Sequence, residues 1–581
     1  MPHALLTEQV APSDRRKCWG LVLIIVLFIV GGVLLLRAVQ EERWSGWMFG
    51  DAQTLLTIRH WQKDGVWAHY GLFLPQGYSV ATRFLEEPPL RHHAHGTSPA
   101  SSPNVGPRLH YTHYPSGYLF PFAAVMKAGW DQAAAFRAVS LTISLVAVWL
   151  MYLVFSRILS PAIGWFAAIY YLTSSMFLEY ADSLANQPLD DFLRFLFMWI
   201  TLKELQVETP TQHKVYMGLA WIIWFSLALS SYDSVLFLLI WMVGLDLMTG
   251  RGVRLGRWVS MVSAPALAFT CQLMQNIWYL GAHDAYRDIM DTFLGGSIAQ
   301  PQRRILVMWG EMVSMVGRSV VLKIVLGPVL FLLGWLYVRG NSREAKAFLR
   351  YLFLLSIAGC TFSLVLVTAG GMFYQGRQFA PLISLLVGGL TVWCMDLLLR
   401  PRWPSLSVFR TTSLPKGVMV LLLATVALLW SGSIWASVGK LDIPPRTTGL
   451  TSEDLSLAKA LKEVADCDRV IFTTQGFTDF INPTYVPGYP QIHPIHEFLS
   501  DALILSFDSS ETLAKDLLWL WQRSEFQFVP ILVSRSNREI QTVSQAVLTK
   551  LDVQQIPPRP RLVHGRYVLA LSHVVSCSAL R

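Results

Sequence analysis

Asp51 ends the stretch Trp44-Ser45-Gly46-Trp47-Met48-Phe49-Gly50-Asp51, which comes just after the first apolar run. Indole-rich segments settle at the membrane–water boundary, so this carboxylate is expected at a bilayer surface. There it could take a proton from a hydroxyl as a general base, or serve as a hard oxygen ligand for Mg²⁺ or Mn²⁺. A second acidic set lies in Glu179-Tyr180-Ala181-Asp182-Ser183 through Gln187-Pro188-Leu189-Asp190-Asp191, an unusually acidic link between two apolar runs. Asp190 and Asp191 open the run that follows, where a carboxylate also suits the positive end of a helix. Asp190 could share a divalent ion with Asp51, and Asp182 could equally be loop surface.

Arg377, in Tyr374-Gln375-Gly376-Arg377-Gln378-Phe379-Ala380-Pro381, carries a planar fork that matches phosphate geometry. It could instead reach toward phospholipid. Arg59 and Lys63, after Asp51, are further phosphate candidates. His110, His113 and Tyr114 lie in Leu109-His110-Tyr111-Thr112-His113-Tyr114-Pro115-Ser116-Gly117-Tyr118 and could meet an acceptor or simply pack. His92, His93 and His95 fall in a Pro-, His-, Ser- and Gly-rich insertion (86–106), where metal binding would be adventitious.

These residues must be positioned by membrane helices. Of 581 residues, 53% are hydrophobic and only 15% charged, against roughly a quarter charged in soluble domains. Apolar runs long enough to cross a bilayer recur near 21–36, 137–155, 161–178, 190–206, 215–231, 233–249, 258–280, 319–338, 351–369, 379–399 and 417–437. That is about eleven spans. The first follows Arg15-Arg16-Lys17 without a small-residue cleavage site and reads as an uncleaved anchor.

Placing the N-terminus in the cytoplasm puts Arg157, Lys203, Lys214, Arg251, Arg254, Arg257, Arg339, Arg343, Lys346, Arg350, Arg400, Arg402, Arg410 and Lys416 on inner connections. Among the short outer turns only Arg377 is cationic. The net charge of +9 is therefore a topology signal and gives no reason to invoke nucleic acid. Asp246 and Asp396, near inner span ends, are expected to be solvated.

The expected architecture is a polytopic α-helical membrane domain (1–439) with a long first external loop (about 39–118) and an external α/β domain (440–581). In the tail, Ser452-Glu453-Asp454-Leu455 resembles a capping box before the helix Leu455–Val464. Arg469–Thr473, Phe526–Val533 and Arg566–Leu571 read as strands and Glu511–Trp521 as a helix. The tail has no glycine-rich nucleotide fingerprint. Cys467 and Cys577 both fall in it and could pair in an oxidising compartment or remain free thiols; no zinc-type Cys/His spacing occurs.

The layout resembles the GT-C superfamily of integral-membrane glycosyltransferases, in particular bacterial relatives of protein O-mannosyltransferases and of the lipid A aminoarabinose transferase. Gly50-Asp51 is similar to the family's acidic motif in the first external loop. His113-Tyr114-Pro115-Ser116-Gly117 is similar to the stretch that ends that loop, and Phe136-Arg137-Ala138-Val139-Ser140 to the start of the next span. Leu189-Asp190-Asp191 stands where relatives carry a second aspartate, and Arg377-Gln378-Phe379-Ala380-Pro381 resembles a late Arg-Tyr-x-x-Pro pattern. The chain departs from it in having one acid at Asp51 where the mannosyltransferases have Asp-Glu, Ser116 for a second Pro, and Tyr232-Asp233 where many relatives have Lys.

The resemblance implies an inverting transferase of the inner or plasma membrane that takes a sugar from a polyprenyl-phosphate donor. Its acceptor would be a glycan, a lipid or a protein on the outer face, and some relatives use a divalent metal. The rival class is a transporter or flippase for a lipid-linked or glycan substrate. Transporters usually show internal repeats and mid-membrane charge; no convincing repeat occurs here, and the polar residues gather at outer span ends. An accessory membrane protein with a partner-binding tail is a third possibility, against which the acidic first loop argues.

Overall fold

The computed structural model describes residues 13–39, 48–88, 90, 109–130, 132–232, 234–250, 254–290, 319–340, 342–365, 377–399, 414–441, 452–464, 468–473, 494–506, 509–521, 528–534, 536–550, 559–564 and 566–571. Trp44, Trp47, His92, His93, His95, Asp233, Cys467 and Cys577 lie outside them.

The helical part runs α1 (Ser13–Ala38), α2 (Met48–Asp64), α3 (Phe120–Lys127), α4 (Ala133–Ile158), α5 (Pro161–Leu172), α6 (Ser175–Tyr180), α7 (Gln187–Glu204) and α8 (Pro210–Ser230). It continues with α9 (Val235–Met248), α10 (Leu255–Leu280), α11 (Ala282–Met290), α12 (Ser319–Arg339), α13 (Arg343–Val365), α14 (Ala380–Leu399) and α15 (Lys416–Leu441). Among the described residues, each expected span overlaps one of these helices. Among the described residues, four segments are long and apolar enough to cross a membrane by length and composition: Lys17–Leu36, Ala133–Ile158, Arg377–Leu398 and Lys416–Ser437.

Local signals set the breaks. Ser160 accepts from the Ile163 amide ahead of Pro161, Thr209 from Gln212 ahead of Pro210, and Ser174 from Phe177. Each satisfies an orphan donor of a first turn, and the Ser174 cap divides the expected 161–178 span into α5 and α6.

Small residues let these helices approach closely. A Cβ on Gly164 would lie 2.8 Å from the backbone of Tyr152, and one on Gly388 would lie 2.8 Å from the backbone of Ile163. Packing α4, α5 and α14 so tightly buries Tyr170, Tyr171, Phe155 and Trp393 in one core. The opposite surface is apolar and open: on α1, Phe28 is 77% and Leu36 68% exposed. Such side chains are stable facing lipid and costly facing water.

The expectation that Asp246 and Asp396 are solvated is corrected. Asp246 and Asp396 are buried. Asp246 accepts from Arg257 at 2.5 Å and from the Trp258 indole at 2.9 Å, and Arg257 also pairs with Glu204. Arg194, four residues after Asp190 in the same span, is fully buried as well.

The C-terminal elements are α16 (Ser452–Lys462), β1 (Asp468–Thr473), α17 (Pro494–Ser500), β2 (Leu503–Ser506), α18 (Ser510–Trp521), β3 (Phe528–Ser534), α19 (Asn537–Lys550), β4 (Arg561–Val563) and β5 (Arg566–Ala570). They build a five-stranded sheet in the order β2-β1-β3-β5-β4. β1 is parallel to β2 and β3, with Val470 opposite Leu503 and Pro530, whereas β5 runs antiparallel to β3. A strand with parallel neighbours and both faces covered reads as a continuous apolar run, as Val470-Ile471-Phe472 does.

One face of the sheet is covered by Leu457 and Leu461 of α16. The other shares a core with Leu513, Leu517 and Leu520 of α18 and with Leu74, Ala81, Leu85, Leu90 and Leu109 of the first loop. The tail's core is therefore completed by residues far away in the sequence. Gly77 is part of this seam: a Cβ there would meet the Ala502 carbonyl oxygen at 2.1 Å. Beside it Glu497, buried in α17, accepts the Ile504 amide at 3.1 Å. Desolvation raises its pKa from 4.5 to about 8.

Candidate active site

The first loop contributes a helix. Ala52, Leu55, Leu56 and Ile58 are buried at helical spacing, and α2 places Asp51 in its first turn, where the helix dipole favours a carboxylate. Asp51 is itself fully buried. Its Oδ1 accepts from the Ser183 hydroxyl at 2.9 Å and the Leu184 amide at 2.7 Å. One residue of the first loop is thus fastened to the acidic turn before α7, and Thr54 donates to the Leu184 carbonyl at 3.2 Å from the same helix.

At the head of α7, Asp190 and Asp191 face Arg194 at i+4 and i+3, on one side of one helix. Arg377 donates through Nε to Asp191 Oδ2 at 2.9 Å and pairs with it through Nη2 as well. Tyr171 also donates to Asp191, and Ser234 donates to Asp190 Oδ2 at 2.7 Å. Two carboxylates and two guanidiniums thus form a buried, formally balanced cluster. Among the described residues it is not fully satisfied: Arg194 Nε and Nη1, Arg377 Nη1 and Asp190 Oδ1 are buried and find no hydrogen-bond partner there. Buried orphan donors are costly. A ligand supplying anionic oxygens and a hydroxyl would satisfy this set.

Tyr114 joins the same region. Its hydroxyl is 2.7 Å from Ser231 Oγ and accepts from Asn186 Nδ2 at 2.9 Å. Asp182 is buried close by in sequence. Asp51, Tyr114, Asp190, Asp191 and Arg377 therefore all engage, or belong to, the segment 182–194 or its immediate partners.

Other candidates are placed elsewhere. Arg59 pairs with Asp501 at 2.6 Å and lies over the Phe498 ring, tying α2 to α17. Lys63 sits over the Tyr78 ring, 4.2 Å from its centroid. His113 bonds Asp288 of α11 at 2.7 Å. His110 meets His69 at 3.2 Å. Its pKa falls well below 6.5, chiefly through desolvation.

Asp51 Oδ1 accepts from two donors, and Asp190 Oδ2 lies 3.6 Å from the Arg194 guanidinium. Among the described residues, the group of three or more ligands within 4.8 Å of one another is His60, Asp64 and His69.

Sequence reasoning passed over Arg194, Tyr171, Ser183, Ser234 and Asp288. Arg194 had a readable signal, its i+3 and i+4 spacing from the acidic pair; the others are brought in by tertiary packing.

No family model matches the chain, and no curated protein matches it. Solved structures do. The chain is similar to ArnT from Cupriavidus metallidurans bound to undecaprenyl phosphate, with 11% identity, 95% of this chain and 98% of that one covered, and a TM-score of 0.50. It is also similar to the archaeal oligosaccharyltransferase AglB from Archaeoglobus fulgidus in complex with an inhibitory peptide and a dolichol-phosphate. There the identity is 9%, with 92% of this chain and 71% of that one covered and a TM-score of 0.46. At this identity the likeness to ArnT is one of fold.

Proposed function

We propose that the chain is an inverting membrane glycosyltransferase that moves a sugar from a polyprenyl-phosphate donor to an acceptor on the outer face of the membrane. One observation carries the reading: Asp51 and the Asp190–Asp191–Arg194–Arg377 cluster meet on one segment. They do so in a chain whose fold is similar to that of a protein solved with undecaprenyl phosphate.

In this reading Asp51 takes the proton of the acceptor hydroxyl. The acceptor oxygen then bonds the anomeric carbon from the face opposite the phosphate. The carbon–oxygen bond to the phosphate breaks, and its electron pair leaves on the polyprenyl phosphate. The orphan donors of Arg377 and Arg194 stabilise that developing charge in a low-dielectric setting, and Asp190 Oδ1 accepts a sugar hydroxyl.

The proposed topology has about eleven spans, a cytoplasmic N-terminus and an outer C-terminal domain from about residue 440. That domain closes over the first loop and shapes access of the acceptor, a glycan, lipid or protein, and leaves the chemistry to the membrane region. The test is transfer of radiolabel from polyprenyl-phosphate-linked sugars in membranes made with and without the gene. Gene-dependent labelling of an acceptor supports the reading; no gene-dependent transfer from any such donor, in membranes containing the folded protein, overturns it.

A further inference from the structure

A second site lies at the far end of α2. His60 and Asp64 are one helical turn apart, and His69 follows in the short turn Trp67–His69, so the chain doubles back and brings the three together. Their ligand atoms all lie within 4.8 Å of one another. His60 and His69 are buried, at 1% and 7% exposure.

The surroundings orient each ligand. His60 Nε2 is 3.0 Å from the Gln76 carbonyl, so it donates there and leaves Nδ1 as the nitrogen with a lone pair. His69 Nδ1 is 3.2 Å from His110 Nε2, while its Nε2 meets Asp64 Oδ2 at 3.1 Å. Asp64 Oδ1 is held separately by Arg83 at 2.9 Å. Ligating histidines characteristically have the second ring nitrogen fixed in this way.

We infer that His60, Asp64 and His69 form a binding site for a divalent transition-metal ion of the zinc class, with a fourth position open to water. Two imidazoles and a carboxylate suit such an ion better than Mg²⁺ or Ca²⁺. Tetrahedral bonds of about 2.1 Å separate ligand atoms by about 3.4 Å, so the trio closes on an ion by small side-chain movements. The ion would clasp the end of α2 to residues 69–83, from which Leu74 and Ala81 enter the sheet's core. The site is independent of the transfer chemistry, and so is its test.

Full-length, tag-free protein would be stripped with chelator and titrated with Zn²⁺, then with Co²⁺ as a spectroscopic probe. We expect one equivalent per chain, visible Co²⁺ bands from nitrogen and oxygen ligands, and a raised unfolding temperature. The near-isosteric Asp64→Asn should bind at least about a hundredfold more weakly, and His69→Ala likewise. The combined change His92→Ala, His93→Ala and His95→Ala should leave the equivalent intact. Failure of the wild-type protein to bind, undiminished binding in Asp64→Asn, or loss of the equivalent in the triple variant would each overturn the site.

Discussion

Replacing Arg377 by Met should unbalance the cluster at the head of α7. Asp190 and Asp191 would then face Arg194 alone, with side chains at most 9% exposed. Removing one member of a buried ion pair costs about 3–5 kcal/mol, because the partner charge stays buried. Asp191→Asn leaves the opposite excess, two guanidiniums against one carboxylate, at a similar cost. The two changes together restore balance as the pair Asp190–Arg194. The double variant should therefore be more stable than the sum of the single effects predicts, by about 2–3 kcal/mol. The assay is a double-mutant cycle on unfolding midpoints in one defined micelle, paired with donor binding. Arg377→Lys keeps the charge but loses the fork; it should stay close to the parent in stability and bind the polyprenyl-phosphate donor at least about tenfold more weakly. Strict additivity in the cycle would refute the electrostatic account, and undiminished donor binding by the folded Lys variant would leave Arg377 as a purely structural residue.

Gly77→Ala should detach the first loop from the sheet, since the new Cβ would lie 2.1 Å from the Ala502 carbonyl oxygen; faster proteolysis of the tail, with the membrane helices intact, checks it. Glu497 has a folded pKa near 8 against 4.5 when unfolded, so the folded state holds its proton more tightly between those values. Its stabilising contribution is complete below about pH 4.5 and declines as pH rises toward 8, at up to about 1.4 kcal/mol per unit. Hydrogen exchange in β2 should accelerate over that window, and Glu497→Gln should flatten the dependence.

The helices were legible because apolar runs of span length leave few alternatives in lipid. α2 was not: its residues 52–58 are apolar on one face only, within a segment that otherwise reads as polar loop. Asp51, Asp190, Asp191, Tyr114 and Arg377 could be picked out by type and position, yet nothing local shows that Ser183 fastens Asp51 or that Tyr171 and Arg377 share Asp191. Arg59 and Lys63 resemble phosphate ligands in sequence; Arg59 instead meets Asp501, more than four hundred residues away. β1, β3 and β5 of the tail were readable from their alternation with helices, whereas the short β2 and β4 were not; the contribution of Leu74, Ala81 and Leu85 to that sheet's core arises only from tertiary packing.

If Asp51 activates the acceptor, Asp51→Asn removes the base and little else. An asparagine oxygen can still accept from Ser183 and Leu184, so the turn should remain fastened while the base is lost. Purified variant and parent would be compared for donor binding and for transfer of radiolabelled sugar. Donor affinity should be unchanged and turnover at least about a hundredfold lower; a folded Asp51→Asn protein transferring at the parental rate would show that Asp51 is not the base.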